Sequence, residues 1–436
     1  MQMKLVRISS LLIAALCAGE GWAFAQTAAQ SPSVFRGAAT REQREGGLAG
    51  QLEAFHAYDD NVLAAEGGAS PERPTSENAI AGQYSGLSAA AMYQTAREGQ
   101  VFKSWANTAI RQYRSLNGFT ATSHQAGAIL VQPLGRRFYV ELSPSASYSP
   151  YYTMQLLPDG ERDPESIQER FVPMPDVDFA IVQSNTIRFS GTGAVNMTVT
   201  DQSTFSVRYG YARSTFDARA IDLEVRSAGA SFSHRMSRNA NLRIGYSRHE
   251  GNYRSLAQQR LENFNLGVDY RRPLSRSRRT FVRFSSGSVL AEDGADFRRL
   301  YVTGSASLAH QLGRTWVANI NGRRAVQHIE GFDRPIRSDA VSGSIAGLLS
   351  RRTEFTLNVG YFNGTVGLRS AAPRLDSYLA SARVRFAITR TLAANAEYRI
   401  FHYRFDEEAA RPLGATPSLA RSGARVGLSW YVPLFE

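Results

Sequence analysis

Residues 205–212 read Phe-Ser-Val-Arg-Tyr-Gly-Tyr-Ala, so a large apolar side chain occupies every second position. In an extended strand, the positions from Phe205 to Tyr211 that carry these side chains would share one face, and Arg208 with its small neighbours would share the other. The same alternation recurs in three further stretches, at 242–247, 355–361 and 425–432. A period of two predicts half-buried β-strands, and no stretch after Ala25 has the 18 consecutive apolar residues of a membrane helix.

Short polar turns separate these predicted strands at a nearly constant spacing. The turns are centred near Arg97, Gly135, Asp201, Arg238, Ser275, Gly313, Arg351 and Arg390. Successive turns are 38, 66, 37, 37, 38, 38 and 39 residues apart. This period fits a hairpin of two long strands, whereas a propeller blade would need four strands in the same length. The 66-residue interval indicates a hairpin with an inserted loop at residues 152–178.

Eight turns of one kind, with both termini on the same side, predict nine hairpins and therefore eighteen strands. The fold class we predict is all-β: a single closed transmembrane antiparallel β-barrel of about 18 strands over residues 47–436, with 16 strands as the next possibility. Closure follows from the solvent, because a free sheet edge in hydrocarbon would leave backbone groups unpaired. The connections at the other end of the predicted hairpins are longer, which is the asymmetry of outer-membrane barrels.

The composition agrees with a β-protein and excludes several other classes. The chain has 436 residues, 43% of them hydrophobic and 11% aromatic, with 36 Gly and one Cys. Its mean hydropathy is −0.29 and its pI is about 9.9. These values exclude a disordered chain, a bundle of membrane helices and a disulfide scaffold. Lys4 and Lys103 are the only lysines, so the net charge of +12 comes from arginine; nothing except this charge favours nucleic-acid binding.

The first 25 residues have the three-part layout of a secretory signal peptide. Lys4 and Arg7 precede a short apolar run, and residues 23–25 form a small-x-small cleavage site. Anchoring as a lipoprotein through Cys17 is an alternative, but Leu16 is too bulky for the position before a lipidated cysteine. We expect cleavage near Ala25, a flexible periplasmic segment over residues 26–46, and an integral location in the outer membrane of a Gram-negative bacterium.

One short motif resembles a known family, and the last strand resembles a known terminal signal. The first predicted strand ends in Tyr58-Asp59-Asp60-Asn61-Val62, and the last strand, 424–432, alternates with an aromatic residue near its end. The motif resembles the beta-barrel porin type 2 family. The last strand resembles the terminal signal that the outer-membrane assembly machinery reads, although Glu436 departs from that signal by following Phe435. The resemblance implies an outer-membrane barrel associated with exopolysaccharide export. Taken alone, Asp59 and Asp60 could form a strand-end turn or bind a cation.

The polar faces of the strands supply the candidate pore-lining residues. They are Arg188, Arg208, Arg226, Arg243, Arg283, Arg323, Arg383, Arg385, Arg399, Arg425, Glu141, Asp269 and Glu397, and Asp222 and Glu224 lie on the same predicted faces. Guanidinium groups could make the interior favour anions, or arginines and acids could brace the wall. The inserted loop carries the candidate constriction residues Asp159, Glu161, Asp163 and Glu165, which could fold into the pore or remain at the surface.

The chain carries no motif that indicates catalysis. There is no G-x-S-x-G, P-loop, H-E-x-x-H or C-x-x-C sequence, and the seven histidines are scattered. We therefore expect no enzyme activity, cofactor or metal site. Three functions remain open: an exopolysaccharide-export channel, a general or anion-favouring small-solute porin, and a non-conducting structural or surface-recognition barrel. The expected partners are outer-membrane lipid and lipopolysaccharide, the outer-membrane assembly machinery and periplasmic polysaccharide-export proteins, but not nucleic acid.

Overall fold

The protein is described here from a computed structural model. It covers residues 46–62, 81–97, 99–114, 119–153, 180–216, 222–253, 259–273, 280–292, 298–368, 372–406 and 415–435. The signal peptide, the lead-in up to residue 45 and residues 154–178 of the predicted inserted loop lie outside these residues, so the expectations about them stay predictions. Tyr152 and Thr153, which the prediction assigned to that loop, end strand β5 instead. Gly46, which the sequence analysis assigned to the lead-in, begins the first strand.

Eighteen long strands form one antiparallel sheet, as the turn count predicts. They are β1 (Gly46–Asp59), β2 (Gly82–Arg97), β3 (Gln100–Tyr113), β4 (Phe119–Pro133), β5 (Phe138–Thr153), β6 (Ala180–Thr200), β7 (Ser203–Phe216), β8 (Leu223–Arg235), β9 (Ala240–Tyr253), β10 (Gln259–Pro273), β11 (Thr280–Glu292), β12 (Arg298–Leu312), β13 (Trp316–Gln327), β14 (Ile336–Leu348), β15 (Thr353–Val366), β16 (Arg374–Ala387), β17 (Leu392–Phe405) and β18 (Ser418–Phe435).

Each strand pairs with its neighbours in sequence, and the first strand pairs with the last. The β1–β18 register runs from Leu48 opposite Phe435 to Asp59 opposite Gly423. The sheet is therefore a closed barrel, which has no free edge to hydrogen-bond. This confirms the predicted fold class and the strand count of 18 rather than 16.

The two ends of the barrel differ in their connections. The eight connections at the end that holds Gly46 and Phe435, called the turn end, fall where the sequence predicts them. Gly135 and Gly313 in two of these turns have φ of +106° and +65°, a backbone conformation that favours glycine. The other end, called the loop end, contains the longer connections, including residues 328–335 between β13 and β14.

The outer face of the barrel is apolar and the inner face is largely polar. Val302, Leu266 and Leu300 point outward and remain 69%, 68% and 61% exposed. Successive aromatic residues of one strand point to opposite faces: Trp430 points outward, whereas Tyr431 is buried inside. This alternation explains the modest mean hydropathy, because only one residue in two meets lipid. None of the described residues forms a helix long and apolar enough to cross a membrane.

Candidate functional site: the inner wall of the barrel

Strand alternation places most of the candidate pore-lining residues on the inner face. On β7, for example, Val207 and Tyr209 are exposed on the outside, so Arg208 between them faces the interior. The same argument places the following residues inside: Arg188, Arg208, Arg243, Arg323, Arg383, Arg385, Arg399, Arg425, Glu141 and Glu397. That they line a conducting pore stays a prediction. The side chains of Arg283 and Asp269 lie outside the described part of the chain.

The prediction that Arg226 faces the interior is wrong, because the structure places this residue on the outer face of β8. It lies opposite Tyr211 of β7 and donates a 2.7 Å hydrogen bond from Nε to Glu224, which is also outside. Inward positions of β8 begin with Leu223, which is only 3% exposed. The centre of β8 reads Ser-Ala-Gly-Ala-Ser, so it lacks the large apolar residues that show which face of a strand points outward. An error of one residue in the predicted alternation then exchanges the inner and outer faces. Asp222 precedes β8 and accepts the backbone N–H of Phe216.

Ion pairs brace the part of the inner wall formed by β15–β18 and β1, and we call this part the ladder side. Arg425 pairs with Glu53 across the β1–β18 seam, and both side chains are almost completely buried. Asn395 of β17 donates to the same carboxylate at 3.3 Å, and the Arg425 guanidinium lies 3.8 Å from the centre of the Phe55 ring. These contacts pair the charge of Arg425 within the wall, so this arginine braces the wall.

Two further ion pairs continue the ladder side. Nη1 of Arg385 lies 3.9 Å from Glu354 on the adjacent strand β15, and Nε of Arg399 lies 3.9 Å from Glu397 on its own strand. Glu53, Glu354 and Asn395 were not among the predicted site residues. Glu354 and Asn395 both lie opposite Arg385 in register, whereas Glu53 lies opposite Ser429 and contacts Arg425 diagonally. These partners become recognisable only once the strand pairing and the side-chain contacts are known.

The Tyr58–Val62 motif fastens the barrel seam at the loop end. Both carboxylate oxygens of Asp59 accept hydrogen bonds from Arg421 of β18, with Nε at 2.9 and 2.7 Å. Asp60 accepts from the backbone N–H and hydroxyl of Ser422 at 2.7 and 2.6 Å, and the N–H of Asn61 turns back to Asp59. The two carboxylates are therefore occupied by β18, which favours the strand-end turn over the cation site.

The rest of the motif is divided between the two faces. Tyr58 points outward, whereas Val62 joins a buried aromatic cluster inside the barrel. In that cluster Tyr84 stacks on Tyr113 with ring centres 4.9 Å apart. Arg111 was not among the predicted site residues, and its Cζ atom lies 6.0 Å from the centre of the Tyr84 ring. The motif thus contributes to barrel closure, and its residues do not form an open binding site.

The connection between β13 and β14, residues 328–335, crosses the interior of the barrel, and we call it the crossing loop. The hydroxyl of Tyr152 on β5 donates a 2.5 Å hydrogen bond to the carbonyl of Glu330, and Arg188 of β6 pairs with the Glu330 carboxylate. β5 lies eight strands from β13 in a ring of 18, nearly opposite. The crossing loop therefore narrows the barrel at its loop end.

Apolar packing holds the crossing loop in place. Phe332 and Ile329 join a buried cluster with Tyr152 and Phe216 on one side of the barrel and with Phe405 and its neighbours on the other. Gly331 has φ of +83°, and an added Cβ would lie 2.4 Å from the Tyr152 ring. Glycine is required here, because a larger residue would collide with the aromatic ring that anchors the loop.

His328 at the start of the crossing loop is buried against β9. Its Nδ1 lies 2.8 Å from the hydroxyl of Tyr253, and its Nε2 makes no hydrogen bond within the described residues. Burial lowers the pKa of His328 to about 4, and the neighbouring His249 contributes in the same direction. The histidine is therefore neutral near pH 7.

The crossing loop was not predicted from the sequence. The candidate constriction residues Asp159, Glu161, Asp163 and Glu165 lie outside the described residues, so their placement stays a prediction. The 328–335 segment is short, and its glycine and proline resemble an ordinary turn. Its buried Ile329 and Phe332 were the available signal, because apolar side chains are unusual in a solvated loop.

A second part of the inner wall, formed by β6–β13, is called the arginine side. Arg208, Arg243 and Arg323 face the interior there, and the side chains that the structure describes on these strands place no carboxylate on the inner face. Glu141 on the neighbouring strand β5 interacts electrostatically with Arg208. Among the side chains that the structure describes, arginines therefore outnumber carboxylates on the inner face of the arginine side, whereas Arg385, Arg399 and Arg425 of the ladder side each have a carboxylate beside them. Within the described residues no group of His, Cys, Asp and Glu could hold a metal ion.

Comparisons with known proteins return structures but no sequence family. No family model matches the chain, and no curated protein matches it. The closed barrel supports the porin-type fold that the resemblance implied. Because no family model matches, membership of the type 2 family is not confirmed.

Similar solved structures include outer-membrane proteins of two bacteria. OpdQ of Pseudomonas aeruginosa is 9% identical, with a TM-score of 0.45 and coverage of 89% of this chain and 98% of that one. OccK2 (OpdF) of P. aeruginosa in complex with glucuronate is 10% identical, with a TM-score of 0.46 and the same coverage. OccAB3 of Acinetobacter baumannii is 10% identical, with a TM-score of 0.43 and coverage of 89% and 99%. Identities and TM-scores this low transfer no substrate to the present chain.

Proposed function

We propose that the chain is an outer-membrane channel for small solutes that favours anions. The observation that carries the proposal is the arginine side of the inner wall, with Arg208, Arg243 and Arg323 facing the interior. An eighteen-stranded barrel is wide enough for water, and a low-dielectric wall of one charge concentrates ions of the opposite sign. The apolar outer face and the short connections at the turn end support an outer-membrane orientation with the termini in the periplasm.

The crossing loop favours small solutes over a polysaccharide chain. It joins opposite sides of the barrel through Glu330 and fills part of the loop end with Ile329 and Phe332. An extended polymer would need that space to be clear along its whole path. No comparison supports exopolysaccharide export, so the small-solute channel is the better interpretation of this barrel.

The test is single-channel recording of the full-length mature protein in planar bilayers. We expect discrete current steps, and under a salt gradient a reversal potential of the sign that anion preference requires. A reversal potential of the cation-selective sign contradicts the anion proposal. Polysaccharide secretion that disappears on deletion of the chain, while small-solute uptake is unchanged, would favour export instead.

A non-conducting barrel is the second candidate, and the crossing loop is the observation that favours it. A matched variant in which residues 329–334 are replaced by a Gly-Ser linker separates the two. If the wild type is silent and the variant conducts, the loop closes the barrel; if neither conducts, the channel proposal is wrong.

A further inference from the structure

Arg188 on the inner face of β6 is paired differently from the arginines of the ladder side. Its guanidinium contacts the carboxylate of Glu330, which belongs to the crossing loop. Arg425, in contrast, pairs with Glu53 of the neighbouring strand β1. A strand of the closed barrel is held on both sides by backbone hydrogen bonds, whereas a loop is not. The partner of Arg188 can therefore move away without opening the wall.

The Arg188–Glu330 pair is also more accessible than the Arg425–Glu53 pair. The side chains of Arg188 and Glu330 are 22% and 33% exposed, whereas those of Arg425 and Glu53 are 5% and 6% exposed. Among the described residues, no second carboxylate pairs with Arg188. A guanidinium has five N–H donors, so contact with one carboxylate leaves donors for an incoming group. A solute in the interior can thus reach this arginine.

The chemistry around Arg188 fits an oxyanion. In the sheet register it lies between Ser147 of β5 and Ser214 of β7, so hydroxyl side chains flank it on both sides. A hydroxyl can donate a hydrogen bond to an oxyanion. The planar guanidinium fork matches two oxygens bound to one atom, as in a carboxylate or a phosphate, and chloride has no such pair. The carboxylate of Glu330 is itself a group of this kind.

The crossing loop has further contacts that limit how it can move. Next to the ion pair, the backbone carbonyl of Glu330 accepts the hydroxyl of Tyr152. At the end of the loop, the carbonyl of Pro335 accepts a 2.9 Å hydrogen bond from the backbone N–H of Gly367. Movement is therefore confined to residues between His328 and Pro335. Because several contacts hold the loop, losing the ion pair shifts the balance between closed and open loop without freeing the loop outright.

We propose that Arg188 is a binding site for an oxyanion, namely a carboxylate or phosphate group of a small solute, and that Glu330 occupies this site when no solute is bound. The incoming group replaces the Glu330 carboxylate on the guanidinium, and the crossing loop then opens more often. A ligand shifts a conformational equilibrium only if it prefers one state. The preference exists here because the solute can use the fork of Arg188 only after Glu330 has left.

This inference rests on the proposed channel function, and it names the class of solute and the coupling of that solute to the crossing loop. The wall arginines of the ladder side offer no such coupling, because their partners are fixed in neighbouring strands. Arg188 would thus differ from Arg425 in what replaces its partner: a solute for the first, and nothing for the second.

Amide hydrogen exchange of the crossing loop, measured by mass spectrometry on the full-length mature protein in detergent, tests the site. Potassium acetate or inorganic phosphate replaces potassium chloride at constant pH and ionic strength. We expect exchange of residues 329–334 to rise by about five-fold or more, which is an ordinary coupling between two sites. A rise with either oxyanion supports the site, and the larger rise identifies the preferred group. Equal exchange in all three salts overturns the proposal.

Four variants separate binding at Arg188 from a general effect of salt. R188Q and E330Q each break the pair, so exchange should already be high in chloride and should not rise further in acetate. R188K keeps the charge without the fork, so acetate and chloride should differ less than in wild type. D333N is the matched control, because Asp333 lies in the same loop but pairs with Arg334 beside it, with Nε at 3.7 Å. Its response should equal that of wild type.

Persistence of the acetate response in R188Q, or its loss in D333N, contradicts the proposal. Conductance of the same preparations in planar bilayers separates the proposal from the channel function. A wild type that conducts with anion preference but shows no exchange response to acetate or phosphate contradicts only the oxyanion site. A wild type that passes no current but responds to acetate through Arg188 contradicts only the channel.

Discussion

The ladder side and the arginine side of the interior both contain inward-facing arginines, but in different surroundings. On the ladder side, Arg425 and Arg385 lie beside carboxylates of neighbouring strands and are almost completely buried. On the arginine side, Arg208 and Arg323 are partly exposed to the interior. The comparison teaches that inward orientation alone does not make an arginine part of a solute path. The number of carboxylates around an arginine decides how much of its field reaches the interior.

Breaking the ladder side at the seam should have the largest effect. In R421A, Asp59 loses the guanidinium that occupies both carboxylate oxygens and is left as a buried carboxylate without its counter-ion. Loss of one member of a buried ion pair costs about 3–5 kcal/mol. We expect a correspondingly lower free energy of unfolding by urea in detergent or liposomes, measured from the loss of the folded β-barrel signal.

The double variant D59L/R421M is the matched control for that prediction. It removes both charges and keeps apolar volume, so much of the lost stability should return. If R421A is as stable as wild type, or if the double variant is no better than R421A, the seam is not held by this pair.

Acidification should loosen the crossing loop where it meets the arginine side. His328 has its pKa lowered from 6.5 to about 4 by burial, and the groups facing it are His249 and Tyr253 of β9. When the loop opens, His328 binds a proton more readily, so the stability of the closed loop is fully present above about pH 6.5. It falls between about pH 6.5 and 4 by on the order of 3 kcal/mol.

Single-channel recordings at pH 7.5 and 4.5 measure this effect as loop-opening events that become more frequent at low pH. H328Q cannot take up the proton and should remove most of the difference. An equal response to pH in H328Q would assign the effect to other groups.

The sequence predicts the fold more completely than it predicts the site, for a physical reason. Membrane strands must alternate and must close, so the alternation around Arg208 and the regular turns are enough to predict eighteen strands. Side-chain partners depend on register, which the pattern does not specify. Glu53 became recognisable as the partner of Arg425 only from the side-chain contact, because the β1–β18 register places Glu53 opposite Ser429. Arg226 was misplaced because the small residues of β8 do not show which face is apolar.

Substituting the glycine of the crossing loop should produce an intermediate effect. In G331A, the added Cβ must adopt an unfavourable positive φ and would collide with the Tyr152 ring. Strain of this kind costs about 1–3 kcal/mol. We expect the loop to release its contact between Tyr152 and Glu330 more often, seen as higher or noisier conductance together with a small decrease in the unfolding midpoint.

The control for that variant is a glycine without such constraints. Gly313 lies in a turn at the other end and has no atom within 4 Å of its would-be Cβ, although its φ is also positive. G313A should share the backbone strain but leave conductance unchanged. Altered conductance in both variants would mean that backbone strain alone, and not the Tyr152 contact, explains the result.

Neutralising one arginine on each side of the interior is the most direct test of the comparison. The smallest change in stability is expected for the variant on the arginine side. In R208Q, a positive charge is removed from the arginine side, so anion preference in the reversal potential should fall by a factor of about two to three while stability changes little. In R399Q, the Glu397 contact of a buried ladder arginine is lost, so stability should fall and selectivity should persist. If both variants shift selectivity equally, the two sides contribute the same field to the pore. The distinction between bracing and solute-facing arginines would then be wrong, because the carboxylates of the ladder side would not be cancelling its charge.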